Sequence, residues 1–216
     1  MKVLVGTDFH GKDSVFRAFA ETTQQNNVDI MAVCGDVTHF GSLQEAQRLL
    51  SLLTGLKIPV LFVPGNCDPP SLATADIEGA TCIHGRNVSF GDLTFIGIGA
   101  SPPTPFHTPF ELTEDEIKET LKQASKNLSP AKWVVLISHS PPLGTKLDET
   151  SLGLHAGSSS LRAFVEQMQP SAVFCGHIHE AKGREKIGAT LIVNPGPARH
   201  GDYVVASFNA ELSLEP

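Results

Sequence analysis

Aromatic and basic side chains are scarce in this chain. It has one Trp and one Tyr, and its 16 Lys and Arg are outnumbered by 23 Asp and Glu, for a formal charge of -7. A surface of that sign lacks the basic stripe that tracks a phosphate backbone, so no strong extended nucleic-acid binding is expected. No apolar run approaches the roughly 18 residues of a membrane span, which predicts no membrane association. The apolar part of Met1 to Gly6 is too short for a secretory h-region, and the expected location is cytoplasmic. The four cysteines, Cys34, Cys67, Cys82 and Cys175, show no CxxC spacing, and two of them lie inside apolar runs. Reduced core thiols are the expectation. No repeat, low-complexity tract or linker interrupts the chain, and its 216 residues read as one domain, 1-216.

What the chain does have is five apolar runs that each end on a residue able to hold a metal. Val3 to Val5 precede Asp8 and His10, Ile30 to Cys34 precede Asp36, and Val60 to Val63 precede Asn66. Val134 to Ile137 precede His139, and Ala172 to Cys175 precede His177 and His179. Short, wholly apolar, β-branched runs predict strands covered on both faces. Ligands of such sheets gather where the carboxyl ends of the strands open.

Between the runs, helical spacing predicts helices. Asp13 is placed to cap one with Val15, Phe16, Phe19 and Ala20 on its apolar side, and Ser42 with Glu45 has capping-box spacing before Leu43 to Leu53. Thr113 and Glu116 open another. From Ser71 onward, short strands at 82–83, 88–90 and 94–98 suggest antiparallel additions to a sheet, and two more are expected at 190–193 and 203–208. The proline-rich stretch 101–109 suits a rim.

Each motif is weak alone. In extended backbone Asp8 and His10 of Asp8-Phe9-His10 would share a face, and Gly176-His177-Ile178-His179 repeats that spacing with two imidazoles. The ordered set is specific: D-x-H, Gly35-Asp36, Gly65-Asn66-Cys67-Asp68, Ser138-His139 and G-H-x-H, each after an apolar run. It resembles the calcineurin-like metallophosphoesterases from residue 8 to the Asn194-Pro195-Gly196 turn, and is most similar to the small, lid-poor phosphoesterases with a G-N-C-D motif.

That resemblance implies an α/β fold, a four-layer αββα sandwich with a dinuclear metal site at the strand ends. Asp8, His10, Asp36 and His179 would hold one ion, and Asp36, Asn66, His139 and His177 the other, with Asp36 bridging. Imidazole and carboxylate suit two divalent metal ions drawn from Mn, Fe, Ni, Co or Zn. Such a pair, offset by Asp8 and Asp36, leaves about +2 to attract a phosphate. The implied activity is hydrolysis of phosphodiesters or activated phosphomonoesters by the hydroxide bridging the ions.

Many members of the family carry His where this chain has Cys67. A thiol, with an ordinary pKa of about 8.5 that nearby cations would lower, is a poorer proton donor than an imidazolium, which favours diesters over monoesters. Asp36, Cys67 and Asp68 are the catalytic candidates, Asp68 with the alternative of capping its turn. Candidate substrate contacts are Asn66, His39, His84, His155 and His200, with His107 on the rim. Arg162 and Arg199 suit either phosphate oxygens or surface ion pairs, and Asn194 shapes a turn. The expected partner is a small phosphoester, and a homo-oligomer is compatible with the sequence. The competing reading is a scaffold that uses the fold as an interaction surface with little turnover.

Overall fold

The computed structural model describes residues 1–215. The first half of the chain runs β1 (Lys2–Gly6), α1 (Asp13–Gln25), β2 (Ile30–Cys34), α2 (Leu43–Thr54), β3 (Val60–Val63), β4 (Ala80–Cys82), β5 (Asn87–Phe90) and β6 (Leu93–Ile98). The second runs α3 (Glu114–Ala124), β7 (Trp133–Ser138), α4 (Ser159–Met168), β8 (Ala172–Phe174), β9 (Gly183–Ile187), β10 (Thr190–Asn194), β11 (Val204–Phe208) and β12 (Leu212–Glu215). The strands form two six-stranded sheets, ordered β12-β11-β1-β2-β3-β4 and β5-β6-β7-β8-β10-β9.

The alternation of side chains along the apolar runs builds the layers. Leu4, Met31, Val33 and Phe62 pack with Phe16, Phe19, Leu49 and Leu50 of α1 and α2. Their neighbours Val3, Val5, Ile30, Ala32, Leu61 and Val63 meet Phe95, Val135, Ile137 and Phe174 of the other sheet. On the far side, Leu136, Val173 and Ile192 pack with Ile117, Leu121, Leu161 and Val165 of α3 and α4. The result is helix, sheet, sheet, helix. Both faces of each central strand are buried, which is why those strands read as unbroken apolar runs.

Three local expectations need correction. Asp13 is the first residue of α1, not its cap: Lys12 holds that position with no side-chain cap bond, and the Asp13 carboxylate is taken by Arg48 at 2.8 Å. Strand β4 joins β3 in parallel, so only β5 is an antiparallel addition in that region. Ser42 accepts from Glu45 N without the reciprocal bond, whereas Thr113 and Glu116 form the complete capping box. All four cysteines are free and buried, and no helix among the described residues is long and apolar enough to cross a membrane.

Strands β1, β2 and β3 run parallel, as do β6, β7 and β8. Their carboxyl ends open on one edge of the sandwich, where all the candidate ligands lie.

Candidate metal centre

The loops after β1 and β2 are laced together by main chain: Asp8 N donates to Gly35 O at 3.1 Å, His10 N to Asp36 O at 2.9 Å and Gly11 N to Val37 O at 2.9 Å. This lacing needs left-handed backbone at Asp8 (φ 56°), His10 (φ 50°) and Asp36 (φ 52°), and His177 shares it (φ 69°). The D-x-H pair therefore reaches the site on turned backbone rather than on one face of an extended strand. Non-glycine residues seldom adopt this region, and four of them clustered at one rim mark a place where local backbone energy is given up for side-chain placement.

Side chains from both sheets converge there. Asp8, His10, Asp36 and His179 present ligand atoms all within 4.8 Å of one another. His10 Nε2 lies 3.1 Å from His179 Nε2, and His179 Nε2 lies 3.3 Å from Asp8 Oδ1. Asp36 stands in the middle, its Oδ2 3.6 Å from His10 Nε2 and its Oδ1 3.5 Å from His139 Nε2. On that second side His139 Nε2 is 2.8 Å from Asn66 Oδ1, and the His139 and His177 rings are 5.1 Å apart. His139 Nδ1 donates to Cys34 O at 2.8 Å across the seam between the sheets, which leaves Nε2 as the nitrogen that faces the site.

Two glycines make the approach of these loops feasible. A methyl group on Gly65 would run into the Asp36 carboxylate, and one on Gly176 into Thr7 and Asp8.

The residues fit a cation. Asp8 Oδ1 is buried with no hydrogen-bond partner, a costly state that a metal would relieve. Burial works to raise the Asp8 carboxyl, but the neighbouring imidazoles of His179, His139 and His10 hold it below its ordinary range. Burial pushes His10 and His177 down to about 3, so both are neutral and offer lone pairs. Asp36 is pushed up to about 6 by burial and by the Asp8 and Asp68 carboxylates. His139 lies above its ordinary value because Asp36 and Asp8 outweigh its burial.

The remaining candidates divide. His39 comes to the site, its Nδ1 3.3 Å from His10 Nδ1. His84 stands back, its Nδ1 accepting from Gly99 N at 2.9 Å. His155 pairs with Asp148 at 2.9 Å, and His107 and His200 are exposed. Arg162 is engaged by Glu166 and by the carbonyls of Leu143 and Gly144. Arg199, one residue before His200, is the side chain that reaches a ligand: its Nη2 is 2.9 Å from His179 Nδ1.

Cys67 is buried in the cluster, and burial together with Asp36 pushes its thiol up. The Asp68 carboxylate faces main chain: its Oδ1 accepts from Thr38 N at 2.7 Å and Thr38 Oγ1 at 2.8 Å, and its Oδ2 from Gly65 N at 2.8 Å and Val37 N at 3.0 Å. Asn194 does shape its turn, accepting from Gly196 N and donating to Ile178 O, both at 2.9 Å. The proline-rich segment borders the centre, with Ala100 N bonded to Pro64 O at 2.9 Å and Phe110 N to Asn66 O at 3.1 Å.

Comparison with known proteins places the chain in a family. An uncharacterized protein of Methanocaldococcus jannaschii is 38% identical over 208 residues, covering 94% of this chain and 91% of its own. A probable cyclic nucleotide phosphodiesterase of Vesicomyosocius okutanii is 27% identical over 175 residues, covering 80% of this chain and 71% of its own. The crystal structure of a Thermus thermophilus protein, TT1561, superposes with a TM-score of 0.76 at 16% identity, over 99% of this chain and 97% of that one, a likeness of fold. The family model of calcineurin-like phosphoesterases matches residues 1–181, a span that holds all seven candidate ligands. This chain belongs to the calcineurin-like phosphoesterase family.

Proposed function

We propose that the protein is a dinuclear metal-dependent phosphoesterase that prefers small phosphodiesters. The observation that carries the reading is the position of Asp36, whose two carboxylate oxygens each face a different imidazole, His10 on one side and His139 on the other. A carboxylate so placed would be able to serve two ions at once. Asp8, His10 and His179 would complete one set of ligands, and Asn66, His139 and His177 the other.

When bound, a pair of divalent ions supplies Lewis acidity and a nucleophile drawn from water at neutral pH. The chain's own residues supply the frame. His139 is fixed by its bond to Cys34 O, Asp36 is held by Cys67 N at 2.9 Å, and Asp8 Oδ2 accepts from His177 N at 3.2 Å. Asp68 does not face the site in this reading. It is a positioning residue that clasps the loops carrying Asp36 and Asn66.

The preference for diesters rests on the leaving group. A buried thiol whose pKa is pushed up cannot act as the acid that a poor leaving group needs, and a diester or an activated ester needs it less. The phosphodiesterase description of the Vesicomyosocius okutanii relative supports the same direction. Single-domain organisation belongs to this proposal too, since β11 and β12, beyond the matched span, pair onto the first sheet.

The test is metal content and turnover on one preparation. Protein reconstituted with Mn, Ni, Co or Zn should retain two ions per chain and hydrolyse bis(p-nitrophenyl) phosphate faster than p-nitrophenyl phosphate. Asp36→Asn should abolish turnover while the fold persists. Protein that is folded but retains no metal would support the scaffold reading instead.

A further inference from the structure

We propose that Arg199 is a phosphate-binding residue of this centre, held on His179 until the site is loaded and freed when His179 becomes a ligand. The inference rests on the metallophosphoesterase reading above.

The guanidinium is conspicuous for what it lacks. Among the described residues the ion pairs made by lysine and arginine use Lys2, Arg48, Lys122, Arg162 and Lys182, and none uses Arg199. Its Nε is buried without a hydrogen-bond partner. A permanently charged group kept beside a cluster of cation ligands, with no carboxylate to neutralise it, is poorly placed for structure and well placed for an anion.

Its root is fixed by main chain, and its tip rests on a single imidazole. Arg199 lies in the short turn Ala198–His200, where Ala198 N donates to Thr7 O at 2.7 Å and Arg199 N contacts Asp8 O at 3.4 Å. The residue is thereby anchored to the loop that presents Asp8. Among the described residues the side chain's one polar contact is Nη2 on His179 Nδ1, at 2.9 Å.

That contact conflicts with ligation. A guanidinium can only donate, so His179 Nδ1 must accept, and the imidazole proton belongs on Nε2. Yet Nε2 is the nitrogen aimed at His10 Nε2 and Asp8 Oδ1. If His179 gave its Nε2 lone pair to a cation, the neutral ring would carry its proton on Nδ1, and two donors would face each other. The guanidinium must turn away, and a phosphate at the centre offers two oxygens matched to its fork. Phosphate affinity and metal occupancy are then coupled, each raising the other.

The experiment is calorimetric titration of inorganic phosphate into Zn-reconstituted wild type, Arg199→Ala and Arg199→Lys, with metal content measured on the same samples. Arg199→Ala should hold as much zinc as wild type and bind phosphate about tenfold more weakly or worse, the scale of losing a hydrogen bond to a charged group. Arg199→Lys, which keeps charge and bulk and guards against misfolding of the alanine variant, should fall between. After chelation, wild type and Arg199→Ala should bind phosphate equally weakly. Equal phosphate affinity of wild type and Arg199→Ala at full zinc would overturn this inference alone. Loss of phosphate affinity in step with loss of zinc would also overturn it, making Arg199 a support for His179. Wild type that takes up no zinc would remove the metallophosphoesterase reading and this inference together.

Discussion

Replacing Asp68 by Asn tests whether this carboxylate is a clasp or a participant in chemistry. Its two oxygens receive four donors, two each, from Thr38, Val37 and Gly65. The side chain is wholly buried, so no water substitutes for a lost partner. Asparagine keeps one acceptor oxygen and turns the other position into a donor, which faces two main-chain N–H groups at Oδ2, or Thr38 N and the Thr38 hydroxyl at Oδ1, where the hydroxyl alone can turn to accept. One or two charge-assisted hydrogen bonds are lost, each worth roughly 1.5–3 kcal/mol, and relief from burying a charge returns part of that. A net loss of about 2–4 kcal/mol is expected. For a chain of this size that lowers Tm by roughly 5–15 °C. Metal-free protein should be melted and unfolded in urea, with the midpoint falling at constant slope. Turnover of the surviving folded protein should drop because the Asp36 and Asn66 loops loosen. An unchanged melting temperature with lost turnover at full metal content would refute the clasp and return Asp68 to the catalytic group.

Other consequences of the structure can be measured as directly. Cys67→His should raise hydrolysis of p-nitrophenyl phosphate relative to bis(p-nitrophenyl) phosphate; an unchanged ratio with metal content intact would count against a missing acid at this position. Gly65→Ala should cost about 1–3 kcal/mol in urea unfolding and lower metal retention, because the added methyl meets the Asp36 carboxylate; normal retention would show that the loop yields. His155 is raised above its ordinary pKa by its hydrogen bond to Asp148. Its contribution to stability should be complete below about pH 6.5 and fade as pH rises through the folded value. The melting advantage of wild type over His155→Gln should therefore shrink between acidic and alkaline buffer, and an advantage that grows with pH would contradict the pairing.

The central strands were legible because burial on both faces leaves a wholly apolar run: Ile30–Cys34 and Val60–Val63 have the bounds that their composition predicts. Strands β9 and β12 were not, since Gly-Arg-Glu-Lys-Ile and Leu-Ser-Leu-Glu lie at sheet edges with alternate side chains in solvent. Their strand character comes from pairing with β10 and β11, which no local pattern discloses. At the site, residue types and order named the candidate ligands, and the fold brings Asp8, His10, Asp36 and His179 together. The turned backbone at Asp8, His10 and Asp36 was invisible, because left-handed conformation announces itself in sequence mainly through glycine. Arg199 was visible only as one of two arginines with equal prospects. The partner of each decides between them, Glu166 for Arg162 and the His179 ring for Arg199.

The candidate ligands divide between the sheets: Asp8, His10, Asp36 and Asn66 follow strands of the first, while His139, His177 and His179 follow strands of the second. A cation held by both groups would rivet two slabs that are otherwise joined by apolar contact and a few hydrogen bonds, His139 Nδ1 to Cys34 O among them. Because the unfolded chain scatters these groups, occupancy adds to the free energy of the folded state as RT ln(1 + [L]/Kd). Loss of the ion thus weakens the joint between the slabs, so resistance to heat and proteolysis should follow metal supply even when no substrate is present.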